Sequence, residues 1–167
     1  HVLGQAWFDG MALRVTPEVL IPRPETEELA AWMAQKLAAV PHAVPRALDW
    51  CTGSGCIALS LKKRVPRAEV HAWDVSELAL NVAQTNAEAQ GCDLKTGEAD
   101  LLDAQRPAAP FHLVVSNPPY IPEAECAAMH TRVVDHEPAL ALFVPDEDPL
   151  LFYQALVRWC EDGGLSQ

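Results

Sequence analysis

Short apolar stretches alternate with segments of helical period along this chain, and the alternation predicts its architecture. Ala47 to Trp50, Val70 to Asp74, Leu94 to Ala99 and Phe111 to Ser116 are brief, mostly apolar runs of the kind a buried parallel sheet requires. Helices are predicted between most of them. The first opens at Pro24, whose fixed φ and missing N–H suit an opening turn; Glu25, Glu27 and Glu28 complement its dipole, and Leu29, Met33 and Leu37 recur at i, i+4 and i+8. The second opens at the glycine turn Thr52-Gly53-Ser54-Gly55 and carries Ile57 and Leu61. The third starts at Ser76, sets Leu78 and Val82 on one face and stops at Gly91. A fourth has Asp148 and Pro149 at its start, turns Tyr153, Leu156, Val157 and Cys160 inward, and ends at Gly163-Gly164. The order β-α-β-α-β predicts an α/β fold with an open, doubly wound, mainly parallel sheet.

In such a sheet, ligands bind beyond the carboxyl ends of the strands, where the strand order reverses. The turn after Ala47 to Trp50 is therefore the expected cofactor site, with Gly53 and Gly55 letting the backbone approach a ligand and the following helix presenting free N–H groups. Asp74, at the end of the second strand and about 20 residues on, is placed to accept hydrogen bonds from ribose hydroxyls. Asp100 has a comparable position one strand further, near an adenine. A nicotinamide dehydrogenase would use the same architecture, but this turn lacks the full G-x-G-x-x-G spacing.

The segment Asn117-Pro118-Pro119-Tyr120, directly after the fourth strand, says more about the chemistry. A planar nitrogen in a carboxamide or an adenine amine is a poor nucleophile, because its lone pair is delocalised. The side-chain carbonyl of Asn117 and the backbone carbonyl of Pro118 can accept its two N–H bonds and so let the nitrogen pyramidalise toward an electrophilic methyl. Both prolines fix φ and stiffen the segment, and Tyr120 offers a flat face for stacking. No strong general base is needed, since the nitrogen becomes acidic only once alkylated. Together with the glycine turn, the segment implies a methyltransferase.

Composition narrows the partners. With 167 residues, half of them apolar, the chain can form one domain with a real core, and a net charge of −11 opposes non-specific attraction to nucleic acid. Five widely spaced cysteines without a C-x-x-C pair read as reduced cytosolic thiols rather than a zinc site, so no metal is expected. No apolar run approaches the roughly 20 residues of a membrane span and no secretory leader is evident, so a cytoplasmic location away from membranes is expected. Trp7, Trp32, Trp50, Trp73 and Trp159 are expected in the core, His112 against the sheet, and Asp146-Glu147-Asp148 at a solvated helix start.

Longer matches carry a resemblance. Phe8-Asp9-Gly10, Val19-Leu20-Ile21-Pro22-Arg23-Pro24-Glu25-Thr26-Glu27, Leu48-Asp49-Trp50-Cys51-Thr52-Gly53-Ser54-Gly55-Cys56-Ile57-Ala58, Val114 to Pro122 and Glu137-Pro138-Ala139-Leu140-Ala141-Leu142 are similar, over essentially the whole chain, to the release factor glutamine methyltransferases, the PrmC or HemK family. The resemblance implies a Rossmann-like class I methyltransferase that moves a methyl group from S-adenosylmethionine to the glutamine nitrogen in the Gly-Gly-Gln loop of peptide-chain release factors. It implies that Cys51, Thr52, Gly53, Ser54 and Gly55 wrap the cofactor and Asp74 holds the ribose. Leu101 would lie near the adenine, and Asn117, Pro118, Pro119 and Tyr120 would hold the glutamine amide. Arg23 and Glu25 are expected to shape the site, with an Arg23–Glu27 ion pair as the alternative for Arg23 and a loop anchor as the alternative for Glu137-Pro138.

The chain departs from that family in three places. Cys51 stands where glycine is usual, so a positive φ there would cost about 1 kcal/mol or more. Residues 1–24 are expected to be a linker and the start of the pre-strand motif, with no helical domain before them. Residues 25–167 would form the methyltransferase domain, ending before the family's last strand and hairpin, which predicts an open sheet edge and low stability. The sequence leaves the oligomeric state open, with a monomer as the working expectation. Two alternatives remain at this point: an adenine-N6 DNA methyltransferase, which the acidic charge and lack of a basic recognition domain oppose, and a non-catalytic chain that binds only S-adenosylmethionine.

Overall fold

The computed structural model describes residues 4–105, 107–128 and 137–166. Its centre is a parallel sheet of β3 (Arg46–Trp50), β4 (Glu69–Asp74), β5 (Lys95–Glu98) and β6 (Leu113–Ser116), in the order β5-β4-β3-β6. The chain steps outward from β3 to β5 and then returns to lay β6 on the other side of β3, so the strand order reverses between β3 and β6. Helix α1 (Pro24–Ala39) precedes the sheet, α2 (Cys56–Arg64) follows β3, α3 (Glu77–Ala89) follows β4, and α4 (Leu151–Trp159) comes late in the chain.

Alternation along β3, β4 and β6 serves two cores, which is why their sequence runs are mostly apolar. Ala47, Val70, Ala72, Leu113 and Val115 face one side and pack with Leu37, Ile57, Leu59 and Leu61 of α1 and α2. Leu48, Trp50 and Val114 face the other and pack with Phe111, Phe152, Ala155, Leu156 and Trp159. On that second face Trp50 meets Trp73 and Trp159 edge-on at 5.2 and 4.7 Å, arrangements that aromatic quadrupoles favour.

Several expectations change on contact with this packing. The β5 strand is shorter than Leu94 to Ala99 and polar, because it lies at the sheet edge, where Lys95, Thr96 and Glu98 are exposed. In α3, Ser76 caps the helix by accepting from the Ala79 N–H at 3.2 Å, yet Leu78 faces solvent; Ala79, Leu80, Val82, Ala83, Asn86 and Ala87 are the buried residues. In α4, Tyr153 and Val157 are exposed and the inward face is Phe152, Ala155, Leu156, Trp159 and Cys160, a shift of one position around the helix. In α1 the buried residues are Ala30, Ala34 and Leu37, with Leu29 and Met33 packing only from the rim. Trp7 and Trp32 are exposed, whereas Trp50, Trp73 and Trp159 belong to the core cluster. His112 does sit at the sheet, accepting the Arg46 N–H on Nδ1 at 3.0 Å. Asp146 and Glu147 are solvated, and Asp146 accepts the Ala124 N–H at 2.8 Å.

β1 (Gln5–Phe8) and β2 (Met11–Arg14) form an antiparallel hairpin whose two-residue loop, Asp9-Gly10, has positive φ at both positions (47° and 73°), the geometry that suits a twisted hairpin. Phe8, Met11 and Leu13 enter the same core as α1 and α2. The Asp9 carboxylate joins Ser60 and Arg64 of α2, and the guanidinium holds its carboxyl below the usual range. A further short parallel pair, β7 (Ile121–Pro122) with β8 (Phe143–Val144), follows the fourth sheet strand.

After α4 the backbone turns at Gly163 (φ 103°) and returns to the sheet, where Phe111 N–H donates to Gly164 O at 2.8 Å and Ser166 N–H to Phe111 O at 2.7 Å. Gly164 lies directly under the Trp159 ring, and a methyl group there would overlap the six-membered half of the indole. The ring is held by Trp50, Phe111 and a hydrogen bond from Nε1 to Gln105 O at 3.0 Å, so it has no free direction to yield. Gly164→Ala is expected to destabilise the protein by about 1 to 3 kcal/mol, as overpacked cores do. Chemical denaturation checks this; an unchanged midpoint would count against the packing.

Candidate active site

The carboxyl ends of β3, β4, β5 and β6 open into a cavity of about 420 Å³ at the reversal of strand order, a volume within the range of small-molecule sites. Each strand contributes the residues that follow it: Cys51 to Ser54 after β3, Asp74 to Ser76 at the end of β4, Ala99 to Leu102 after β5, and Asn117 with Pro119 after β6. The wall is completed by Glu18 to Leu20, Pro22, Arg23 and Thr26, by Cys56, Ile57, Ala79 and Phe152, and by Pro138 to Ala141.

The turn after β3 is built from left-handed residues. Cys51, Gly53 and Gly55 have φ of 59°, 53° and 80°. Cys51 thus adopts the positive φ that glycine would take without strain, at a cost of about 1 kcal/mol or more. Beside Gly53 the space is open, and its N–H donates to Asp74 Oδ2 at 2.9 Å. Gly55 serves a different need: a Cβ there would stand 3.1 Å from Ala83 Cβ, so glycine lets α2 begin against α3. It does not line the cavity.

Asp74 accepts a second N–H, from Ser76 at 3.0 Å, on its other oxygen. Burial nevertheless raises its carboxyl above the usual range, outweighing the backbone donors at Gly53, Ser76 and Val75. Asp100 is exposed at the cavity wall and accepts the Leu102 N–H at 2.8 Å, while Leu101 is buried beside it. Asn117 and Pro119 reach the cavity. Pro118 is buried behind the wall and Tyr120, 54% exposed, stands outside it. Cys51 and Cys56 both line the cavity, and burial pushes each thiol up to about 12, far from thiolate formation at neutral pH. Among the described residues, no cluster of three or more His, Cys, Asp or Glu side chains is arranged to hold a metal.

Arg23 makes no pair with Glu27. Its Nη2 donates to both carboxylate oxygens of Glu137, at 2.7 and 2.9 Å, so Glu137 does anchor its loop.

Asp49 was quoted above only inside a longer match, yet it underlies the turn. Fully buried, its Oδ2 accepts from Thr52 Oγ1 at 2.7 Å and from the Ala58 N–H at 3.0 Å, while Oδ1 has no partner. Desolvation, with the Asp74 charge adding, raises its carboxyl to about 7. The available signal was a lone carboxylate in an otherwise apolar central strand. Because the folded pKa lies above the unfolded one, the native state keeps a proton the unfolded chain has released. This group's stabilisation is therefore complete below about pH 4 and disappears as pH rises toward 7. Asp49→Asn is expected to flatten the fall in melting temperature between pH 5 and 7 (about those limits), an effect that paired melts of the two proteins across that range will measure.

Val75, Ser76, Leu102, Phe152 and the stretch Pro138 to Ala141 were not assigned to the cavity from sequence. The Glu137-to-Leu142 match was the one signal that could have pointed to the last of these.

Residues 29–139 match the family described as "Methyltransferase small domain". The chain is 46% identical over 159 residues to the release factor glutamine methyltransferase of Bacteroides thetaiotaomicron, and 43% identical over 161 residues to that of Flavobacterium psychrophilum. Each match takes in 95% of this chain and 56% of the relative, so the chain spans about half the length of the curated relatives it matches. Among solved structures it resembles the hMettl16 catalytic domain in complex with MAT2A 3'UTR hairpin 1 (TM-score 0.70, 17% identity, 93% of this chain and 58% of that one). It also resembles human methyltransferase 10 domain containing protein (TM-score 0.63, 17% identity, 93% and 68%). At that identity the structures bear on the fold alone: an α/β class I methyltransferase sheet.

Proposed function

This chain belongs to the methyltransferase small domain family, and from that premise we propose that it transfers a methyl group from S-adenosylmethionine to the side-chain nitrogen of a glutamine in the Gly-Gly-Gln loop of a peptide-chain release factor. The observation that carries the reading is the convergence of the β3 turn, Asp74 and Asn117 on one cavity. The names of the relatives supply the acceptor.

The residues present fit the cofactor. Open space beside Gly53 admits a ligand against the backbone, Asp74 keeps lone pairs for two vicinal hydroxyls, and Val75, Leu101 and Leu102 offer apolar faces to a purine. When bound, S-adenosylmethionine supplies the electrophilic methyl. The chain's own part is to hold the acceptor. Asn117 Oδ1, at the cavity wall, accepts one amide N–H in this reading and the backbone carbonyl of the adjoining, buried Pro118 the other, which localises the nitrogen lone pair, and the paired prolines keep both acceptors from drifting. The apolar walls at Ile57, Pro119 and Phe152 limit water at the reacting centre. The raised pKa values of Cys51 and Cys56 suit a direct transfer with no thiol intermediate. The net charge of −11 favours a protein acceptor over nucleic acid. A cytoplasmic monomer acting on release factors completes the proposal, and no helix among the described residues is long and apolar enough to cross a membrane.

Peptide mass spectrometry of a release factor incubated with this protein and S-adenosylmethionine tests the reading. One added methyl on the Gly-Gly-Gln glutamine is expected. Methylation of adenine in DNA, with the release factor untouched, would replace it.

A further inference from the structure

Arg23 and Glu137 lie 114 positions apart in the chain and meet at the rim of the cavity. The two side chains are unequally placed: Arg23 is 39% exposed and Glu137 only 4%. A buried carboxylate of this kind depends on its cation to offset its lost hydration. From Glu137 the chain runs along Pro138 to Ala141, which form cavity wall, to Leu142, whose carbonyl accepts the N–H groups of Tyr120 at 3.3 Å and Ile121 at 3.0 Å. Pro118 and Pro119 have no N–H to donate, so these two bonds are the first backbone donations after Asn117. The β7–β8 pairing of Ile121 with Phe143 continues the same contact.

We propose that Arg23 and Glu137 are the positioning pair of the acceptor side of the site. The pair fixes residues 137–142, these hold Tyr120 and Ile121, and the rigid prolines carry that placement back to Asn117. The inference rests on the reading of Asn117 and Pro118 as the amide-binding groups. The cofactor side is held by other bonds: Gly53 to Asp74, Thr52 to Asp49, and the Thr52 N–H to Trp73 O at 3.0 Å. None of these passes through Arg23 or Glu137. Losing the pair therefore separates the two halves of the site.

The test uses Glu137→Gln, which keeps shape and removes charge, and the swap Arg23→Glu with Glu137→Arg. Titration calorimetry with S-adenosylmethionine is expected to give a Kd within about twofold of the parent, as for mutations at independent sites. Steady-state methylation of a release factor is expected to fall about 100-fold in kcat/KM, the scale of a small misplacement of reacting groups. Amide hydrogen exchange at Ile121 is expected to accelerate in Glu137→Gln and to slow again in the swap. Equal losses of cofactor affinity and turnover, or unchanged turnover, would overturn the proposal in favour of a merely structural pair. If the parent protein binds the cofactor but methylates no release factor, the proposed function fails, and exchange at Ile121 decides the positioning alone: an unchanged rate in Glu137→Gln refutes it. Should that variant not fold, Arg23→Lys, which retains a cation, takes the same readouts.

Discussion

Asn117→Ala is expected to lower kcat for methyl transfer by about 10² to 10³-fold, the usual consequence of deleting one preorganised group aimed at the reacting centre. Removing the side chain takes away one of the two acceptors that hold the amide nitrogen. The Pro118 carbonyl alone leaves the amide free to stay planar, and a planar amide nitrogen has little lone-pair density to offer. Cofactor binding should survive, because Asn117 is only one part of a wall to which Cys51 to Ser54 and Asp74 to Ser76 contribute more. The two effects can be read in one preparation: calorimetry for the cofactor and single-turnover methylation for the chemistry. Asn117→Asp keeps an acceptor oxygen and should retain more turnover than alanine. Undiminished turnover in Asn117→Ala would remove the amide-holding mechanism, whatever the substrate proves to be.

Much of this site could be read from residues because its parts are local. A glycine turn after an apolar strand, a carboxylate ending the next strand and a rigid Asn-Pro-Pro after the fourth each announce themselves within a few positions, and a parallel sheet brings its carboxyl ends together. What escaped depends on contacts between distant segments. Nothing in the sequence near Arg23 says that its partner is Glu137 rather than Glu27, since both are carboxylates and only the folded chain brings the former within 2.7 Å. The faces of α3 and α4 were misplaced for a related reason. Helical period fixes which residues share a face but not which face meets the sheet: Ala79, Leu80, Val82 and Ala83 of α3 and Phe152, Ala155 and Trp159 of α4 turn inward, while Leu78 and Val157 face solvent. Asp49 shows the converse: a lone carboxylate in its strand, it takes its role from burial under the turn, which shifts its proton affinity. Gly55 is expected beside the cofactor, but its neighbour is Ala83 and it does not line the cavity.

Asp74→Ala is expected to weaken S-adenosylmethionine binding by about 10² to 10³-fold, from the loss of two hydrogen bonds to a charged acceptor. Two structural effects add to the direct one. Gly53 loses the partner that fixes its N–H, and Ser76 loses the carboxylate that receives its own at the start of α3. The same carboxylate should impose a pH dependence whose sign follows from its environment. Burial raises the Asp74 pKa, hydroxyl recognition draws on the ionised form, and acidification therefore weakens binding at a higher pH than it would with an exposed aspartate. Asp49 titrates near 7 beside it and would blur the curve, so affinity is best followed in an Asp49→Asn background, where the acid limb belongs to Asp74. A Kd that stays constant down to about pH 4, the ordinary range of an aspartate, would show that the ribose hydroxyls do not lean on this side chain. The cofactor's orientation in the cavity would then have to be set from Asp100 or Glu18 instead.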